Sequence, residues 1–302
     1  MTDGHERLAG VSSTALFVGI TRANESRRPD RLFEDALATR FVDAAGAEQQ
    51  AVWTEGQGKP FTEAMGDYFA LRTRYFDDYF TQACAAGCRQ AVLLAAGLDT
   101  RAFRLRWPDG TRLFELDQPE VLDFKEHVLR GEEPRCEREV IAADLREDWP
   151  SLLAKQGFRE DVPTAWLVEG ILVYLTERDA DQLLDRITAL SAPGSHLGVE
   201  HVTRSMVNTD QAQDAASASP EGIMSMLSSL WKNEMTQPPR RLARGPRLER
   251  RGRTPHRPGG AARPPGSPGL RPGPPRHGSR PPADGRPLTD PTARWRLDFT
   301  LG

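Results

Sequence analysis

The sequence has few cysteines and no long apolar run. Three of its 302 residues are cysteine, too few for a disulfide framework, and none has the CxxC spacing with nearby histidines that zinc sites favour. The longest uncharged apolar run, residues 91–97, is far shorter than the roughly 20 residues of a membrane-spanning helix. The N-terminus lacks the basic start and apolar stretch of a secretory signal. We therefore expect a reduced, cytoplasmic protein without a membrane span or a metal site, in which Cys84 and Cys88 are small helix residues one turn apart.

Lysine, valine and isoleucine are absent from residues 239–302. This segment contains 15 Arg, 14 Pro, 10 Gly and four acidic residues, which gives it a formal charge of +11. The whole chain has a charge of −3, so residues 1–238 carry −14. The large apolar residues of the segment are six Leu, one Trp and one Phe, too few to offset the entropy of ordering its backbone. We predict a disordered Pro/Arg/Gly-rich tail at 239–302.

The rest of the chain alternates short aliphatic runs with longer helical patterns, which is typical of a parallel sheet covered by helices. Predicted strands are 90–96, 111–116, 139–143, 164–169 and 195–201. Predicted helices are 61–85, 100–105, 119–130, 148–156 and 177–190, the last with Thr176 as its N-cap. Residues 12–58 are predicted to be helical. The domains are then an N-terminal helical cap (1–60), an α/β core (61–238) and the tail (239–302).

The residues that end the predicted strands indicate a ligand, because ligands of open α/β sheets bind beyond the carboxyl ends of the strands. Gly97 ends the first strand and lets the backbone approach a ligand. Asp117 follows 20 residues later, the offset at which a carboxylate binds ribose hydroxyls. Asp144 and Leu145 end the third strand. The carboxylate of Asp144 can accept from an exocyclic amine, and the side chain of Leu145 can lie on a ring face. Glu169 ends the fourth strand. Three such acids suit a nucleoside with a cationic group and no phosphate, such as S-adenosylmethionine.

Each of these residues also has a structural interpretation. Asp117 and Asp144 could instead cap the helices that follow them. Asp99 and Arg101 are expected to form a local ion pair rather than to contact a cofactor. His201, at the end of the fifth strand, could be a general base, but a single histidine is more often structural. A nicotinamide oxidoreductase is the alternative enzyme class, and the missing GxGxxG motif counts against it.

Six segments in the same order resemble the leucine carboxyl methyltransferase-like family, in particular its bacterial branch of S-adenosylmethionine-dependent methyltransferases. They are VSSTALFVGITRANESRRPDRLFEDALA (11–38), ALRTRYFDDYF (70–80), VLLAAGLDTRAFRL (92–105), ELDQPEVLDFK (115–125), AADLREDWP (142–150) and LVEGILVYL (167–175). The resemblance implies a class I methyltransferase fold, a Rossmann-like parallel sheet with an added N-terminal helical region.

The resemblance also implies roles for individual residues. Arg72 would pair with the methionine carboxylate, with Arg74 as its competitor for this role. Gly97 would line the methionine moiety and Asp117 would bind the ribose. Asp144 and Leu145 would hold the adenine, and Glu169 would lie near the methionine amino group. Ala95 departs from the family, because eukaryotic members have the first glycine of a GxG motif there.

Methyl transfer from a sulfonium requires alignment and exclusion of water, but no acid for the leaving group. The sequence shows no convincing base, which favours a carboxyl or acidic hydroxyl acceptor on a small molecule or peptide. The sequence singles out no catalytic residue, no particular acceptor and no oligomeric state. Two alternatives are a catalytically impaired nucleoside-binding protein and a nucleic-acid binder that uses the arginine-rich tail. Nucleic-acid binding is disfavoured because residues 1–238 are acidic and the tail has almost no aromatic residues interleaved with its arginines for base stacking.

The tail composition also fits translation in a wrong reading frame. Members of the family continue after residue 234 into a helix, a segment like WLAEHGW and the last two strands. Codons for Arg240 onward can be chosen so that reading one base later encodes Ala-Gly-Trp-Leu-Ala-Gly-His-Gly-Trp. The alternative is a natural Pro/Arg tail. A frame shift would remove those two strands and leave the strand at 195–201 as an unpaired apolar edge, which is an aggregation hazard.

Overall fold

A computed structural model describes residues 12–45, 60–201 and 300–301, all within one compact unit. Apart from Thr300 and Leu301, the predicted tail lies outside the described residues, and so does 46–58 of the predicted cap. The expected disorder, domain boundaries and reading frame therefore stay predictions. In the described part of the chain, no helix is long and apolar enough to cross a bilayer.

A six-stranded sheet forms the centre of the fold. Its strands are β1 (Gln90–Leu94), β2 (Arg112–Asp117), β3 (Glu137–Ala142), β4 (Thr164–Val168), β5 (His196–Val199) and β6 (Thr300–Leu301). They are ordered β3-β2-β1-β4-β5-β6, with β1 to β5 parallel and β6 antiparallel to β5. The five parallel strands confirm the prediction. Strand order reverses between β1 and β4, and ligands of open α/β sheets bind at such a switch point.

Helices cover both faces of the sheet. Before β1 come α1 (Ser12–Arg27), α2 (Ala36–Ala44) and α3 (Pro60–Ala85). Between the strands come α4 (Arg101–Arg104), α5 (Pro119–Val128), α6 (Trp149–Lys155) and α7 (Glu177–Ala189), together with a 3₁₀ turn at Leu172–Tyr174. Thr176 caps α7 as predicted, since its side chain accepts a hydrogen bond from Asp179 N at 3.2 Å.

The two faces of β1 pack into two separate cores. Leu93 packs in a cluster that includes Phe76 and other aromatic residues of the N-terminal helices. Val92 packs with Trp149 and Trp166 in a second cluster that reaches α6 and α7. β1 is buried at every position because it has strands on both sides and helices over both faces.

Cys88 does not lie in a helix, so the predicted helical cysteine pair is wrong. The helix α3 includes Cys84 and ends at Ala85. Gly87 follows with φ +110°, and Cys88 N donates to Ala83 O at 3.0 Å. This bond and the left-handed glycine form a Schellman motif, which ends the helix. Both thiols are free and buried, and burial raises the pKa of each.

The strand β5 was expected to form an unpaired edge of the sheet. This expectation is wrong at two residues of β5, which are paired. Gly198 and Val199 pair with Leu301 and Thr300, which run antiparallel to β5. The backbone groups of an edge strand are open to pairing with another extended segment, and here residues 300–301 provide it.

Candidate cofactor site

The loop after β1 contacts the end of β2 through a backbone donor. Gly97 N donates to Asp117 Oδ2 at 2.6 Å, and Gln118 N donates to Oδ1 at 2.7 Å. Each carboxylate oxygen keeps capacity for another donor. Asp117 is 8% exposed, and this burial raises its pKa, although the two backbone donors lower it. Gly97 has φ +51°, a conformation that glycine adopts without steric cost.

Ala95, two residues earlier, adopts the left-handed conformation without being glycine. Its φ is +58°, and it is the one non-glycine residue with positive φ in the ranges that the structure describes. This conformation costs an L-residue roughly 1–2 kcal/mol. Such strain persists where the surrounding structure enforces it, and it clusters at functional sites.

Asp144 and Leu145 follow β3 and are both half-buried. The Nε of Arg146 lies 2.9 Å and 3.1 Å from the two oxygens of Asp144, and Arg146 Nη2 also contacts Oδ2. The side chain of Arg146 is 53% exposed. A ligand amine at Asp144 would therefore share the carboxylate with a surface arginine or displace it.

Neither Asp117 nor Asp144 caps a helix. The N-cap residue of α5 is Gln118, and that of α6 is Asp148, whose side chain accepts from Ser151 N. The structural interpretation of both acids as helix caps is therefore wrong.

Glu169 follows β4 and forms ion pairs with two buried arginines. Its Oε1 lies 2.8 Å from Arg72 Nε, and its Oε2 lies 2.8 Å from Arg101 Nη1. Arg72 is 6% exposed. Burial lowers the pKa of Arg72, but the charges of Glu200 and Glu169 outweigh this and raise it. The contact of Arg72 Nε with Glu169 is not aligned as a hydrogen bond, and within residues 12–45 and 60–201 this buried N–H has no acceptor.

The structure brings Arg72, and not Arg74, to the ends of the strands. Arg74 pairs with Asp78 one turn further along α3, with Nε 3.0 Å from Oδ2, and it donates to Leu32 O. Its side chain is 52% exposed. The two arginines lie on different sides of α3 because residues two apart on a helix do not face each other.

Glu200, which directly follows β5, is a site residue that the sequence reasoning missed. Its carboxylate accepts hydrogen bonds from Arg72 Nη1 at 2.9 Å to each oxygen, from Gly170 N at 2.6 Å and from Tyr68 Oη. Burial, and then the charge of Glu200, raises the pKa of Tyr68, which keeps its hydroxyl a donor. The sequence did contain a signal for Glu200. It precedes His201 at the end of the fifth predicted strand, and it is the fourth acid at a strand end.

Asp99 and Arg101 form the expected ion pair, at 2.5 Å. Burial by itself would raise the pKa of Asp99, but the charge of Arg101 and other cations lowers it to about 2. The pair belongs to a larger buried group, here called the charged cluster. Its members are Arg22, Arg72, Arg101, Arg104, Asp35, Asp77, Asp99, Glu169 and Glu200.

The charged cluster joins the N-terminal helices to the carboxyl ends of the strands. Arg22 of α1 and Arg104 of α4 both approach Asp35, at 3.4 Å and 3.9 Å. Asp77 of α3 binds Arg104 at 2.5 Å and Arg101 at 2.8 Å. With four arginines and five carboxylates, the cluster has a formal charge of −1. It therefore favours a ligand with net positive charge at the strand ends.

These observations fit S-adenosylmethionine. The N–H of Arg72 that lacks an acceptor fits a carboxylate, and the remaining acceptor capacity of Asp117 fits the two hydroxyls of a ribose. The negative charge of the cluster fits a sulfonium and an ammonium group. Gly97 places backbone without a side chain beside this region.

Comparison with known proteins identifies relatives. The sequence profile of the family described as leucine carboxyl methyltransferase matches residues 15–188. A protein of Parafrankia sp. is 50% identical over 234 residues, which cover 76% of this chain and 74% of that protein. A protein of Streptomyces avermitilis is 44% identical over 250 residues, which cover 79% of this chain and 84% of that protein. Both are named provisionally as S-adenosyl-L-methionine-dependent methyltransferases.

Solved structures show more distant likeness. A DUF574 family protein of Streptomyces avermitilis is 16% identical, and the match covers 76% of this chain and 79% of that protein with a TM-score of 0.49. A protein of Thermobifida fusca, provisionally named a methyltransferase, is 21% identical. The match covers 59% of this chain and 68% of that protein, with a TM-score of 0.43. The parallel strand order and the family profile together define a class I methyltransferase fold with S-adenosyl-L-methionine as cofactor. The chain belongs to the leucine carboxyl methyltransferase family of S-adenosyl-L-methionine-dependent methyltransferases.

Proposed function

We propose that the chain methylates an oxygen atom of its acceptor, a carboxylate or acidic hydroxyl on a small molecule or peptide. One observation carries this proposal: all four acids at the carboxyl ends of strands β2 to β5 are already engaged. Asp117 accepts from two backbone N–H groups, Asp144 from Arg146, and both Glu169 and Glu200 from arginines. Carboxylates held in this way are poor general bases, whereas an acceptor that is already ionised needs none. The description of the family, carboxyl methylation of leucine, supports the same class of acceptor.

Six residues are proposed to bind the cofactor. Arg72 binds the methionine carboxylate and Glu169 the amino group, since the buried Arg72 of α3 meets the half-buried Glu169 at the end of β4, with Nε 2.8 Å from Oε1. Gly97 lines the methionine moiety, and Asp117 binds the ribose hydroxyls. Asp144 and Leu145 hold the adenine. The positions of Gly97, Asp117, Asp144, Leu145 and Glu169 at the carboxyl ends of β1 to β4 support the assignment, because parallel strands present these ends at one edge of the sheet.

The contribution of the protein to the reaction is orientation. S-Adenosyl-L-methionine, when bound, supplies an electrophilic methyl group on a positively charged sulfur that departs as a neutral thioether. Asp117 and Arg72 fix two ends of the cofactor and thereby aim its centre at the acceptor. Near-attack alignment of this kind accounts for much of the acceleration of such displacements. The partners of Arg72 and Glu169 in the charged cluster, Glu200 and Arg101, are in place before the cofactor binds, which favours catalysis by preorganised charge.

Methyl transfer with labelled cofactor tests the proposed acceptor class. The purified chain is incubated with S-adenosylmethionine labelled in its methyl group and with panels of carboxylic acids, peptides ending in leucine, phenols and amines. A carboxyl methyl ester releases labelled methanol in alkali, whereas a methyl ether or methylamine does not. Label in a carboxyl ester or in an ether of an acidic hydroxyl supports the proposal. Label only in amine or carbon products overturns it.

Calorimetric titration with S-adenosylmethionine, S-adenosylhomocysteine and NADH separates the remaining alternatives. Binding of the first two without turnover on any acceptor would identify an impaired nucleoside-binding protein. Binding of NADH alone would overturn the methyltransferase proposal. A salt-dependent complex with an oligonucleotide, lost when the arginine-rich tail is removed, would identify a nucleic-acid binder.

A further inference from the structure

We propose that Glu200 and Arg101 are positioning residues that hold Arg72 and Glu169 while the internal Arg72–Glu169 ion pair exchanges for a ligand zwitterion. The zwitterion is the α-carboxylate and α-ammonium of the amino-acid part of the cofactor. This inference rests on the proposed function, because it takes Arg72 and Glu169 as the residues that bind this part.

Glu200 holds Arg72 through a different nitrogen from the one that faces Glu169. Both oxygens of Glu200 lie 2.9 Å from Arg72 Nη1, whereas Glu169 faces the Nε atom. Glu200 is itself fixed by Gly170 N and Tyr68 Oη. Its own backbone N donates to Val168 O at 2.9 Å, which continues the β4–β5 ladder by one residue. Because its buried carboxylate already accepts from three separate groups, Glu200 is engaged in holding Arg72 and is not the ligand contact.

Arg101 holds Glu169 in the corresponding way. Its Nη1 binds Glu169 Oε2 at 2.8 Å, which leaves Oε1 to face Arg72. Arg101 is 1% exposed, and it is fixed by Asp99 at 2.5 Å and by Asp77 at 2.8 Å. Each half of the Arg72–Glu169 pair therefore has a second partner that does not depend on the other half.

The Arg72–Glu169 contact has the features of an exchangeable pair. Its atoms are 2.8 Å apart, but the Arg72 Nε–H is not aligned as a hydrogen bond. Breaking a buried pair is normally costly because it leaves a charge without a partner. Here Glu200 and Arg101 stay in place, and a zwitterion supplies one new negative and one new positive partner. The exchange conserves the charge of the cluster.

The arrangement predicts selectivity for the amino-acid part of a ligand. S-Adenosylhomocysteine carries both the carboxylate and the ammonium group and can replace the internal pair. 5′-Methylthioadenosine carries the nucleoside without either group, so it leaves the internal pair intact. Loss of Glu200 or Arg101 should therefore affect the first ligand and spare the second, whereas a general loss of structure should weaken both.

Calorimetry with these two ligands tests the inference on wild type, Glu200→Gln, Arg101→Lys and a surface control, Asp78→Asn. We expect Glu200→Gln and Arg101→Lys to weaken S-adenosylhomocysteine binding about tenfold or more, since a charged hydrogen-bond partner is changed. Affinity for 5′-methylthioadenosine should stay within about twofold of wild type, and the control should match wild type for both ligands.

Other outcomes are equally decisive. Equal losses for the two ligands, or no loss, in both variants overturn the inference. Wild type that binds neither S-adenosylmethionine nor S-adenosylhomocysteine overturns the proposed function instead. If Glu200→Gln does not fold, Tyr68→Phe decides, because it removes one donor to Glu200 and no charge. A selective loss of about threefold for S-adenosylhomocysteine supports the inference, and an unselective change or none overturns it.

Discussion

Gly97 and Asp117 stand 20 residues apart in the chain and meet through a hydrogen bond of 2.6 Å from Gly97 N to Asp117 Oδ2. They meet because β1 and β2 are parallel neighbours, with Leu94 opposite Leu116. The backbone donor fixes the direction of the carboxylate before any ligand binds. Preorganised polar groups of this kind bind without the cost of ordering them.

Asp117→Ala and Asp144→Ala should each weaken S-adenosylmethionine binding by ~1–3 kcal/mol, since each leaves buried ligand donors unpaired. Calorimetric dissociation constants measure this. Asp161→Ala is the matched control, because the Asp161 side chain is 71% exposed and pairs with Arg159 away from the strand ends. Wild-type affinity in both site variants would contradict their assignment.

Arg72→Ala should weaken S-adenosylmethionine binding at least as much, because a charged partner of the carboxylate is lost. Arg74→Ala removes the same type of side chain from the same helix. It should leave binding unchanged, since Arg74 pairs with Asp78 at the surface. The same titration applies to both variants. If Arg74→Ala weakens S-adenosylmethionine binding and Arg72→Ala does not, the carboxylate-binding role belongs to Arg74, two residues further along the chain.

Ala95→Gly should raise the free energy of unfolding by about 1 kcal/mol, because glycine adopts a φ of +58° without the steric cost that alanine bears. Urea unfolding measures the change. Ala154→Gly is the control, because Ala154 lies exposed in α6, where glycine should lower stability by about 0.5–1 kcal/mol. Destabilisation by Ala95→Gly would show that the strain is absent or is offset elsewhere.

Asp99 should make stability depend on pH in the acid range. Its pKa is about 2, below the ordinary value of 3.8, since the charge of Arg101 and other cations outweighs burial. The ionised form therefore stabilises the fold above about pH 4, and about 2 kcal/mol is lost as the pH falls through the lowered pKa. Urea unfolding of wild type and Asp99→Asn between about pH 5 and about pH 2.5 measures this. The variant should be less stable at the upper end and show a flatter profile, and parallel profiles would contradict the prediction.

The gene sequence tests the reading frame. If the arginine-rich tail is out of frame, the nucleotides after the codon for Gln237 will contain a second open frame that encodes a segment like Ala-Gly-Trp-Leu-Ala-Gly-His-Gly-Trp. Restoring that frame should then raise solubility and methyl transfer together. A gene without such an open frame would leave a natural Pro/Arg tail as the explanation.

The sequence by itself determined the parallel sheet and the acids at its edge. β2 ends in Asp117, and Glu169 directly follows the apolar run of β4, so the local pattern places both acids at the carboxyl ends of strands. The helix signals were local as well, since Thr176 caps α7 through a backbone donor three residues away. Such patterns depend on near neighbours in the chain, which the sequence shows directly.

Only the tertiary structure decided which arginine reaches the site and what holds it there. The resemblance assigned Arg72 and left Arg74 as its competitor, and the packing of α3 buries Arg72 and exposes Arg74. The place of Glu200 at a strand end is visible in the sequence, but its hydrogen bond with Arg72, 128 residues away, is not. The strain at Ala95 was hidden for the same reason, because alanine predicts no positive φ. Buried ion pairs depend on which charges the fold brings within a few ångströms, and that distance is set by the packing of helices against the sheet.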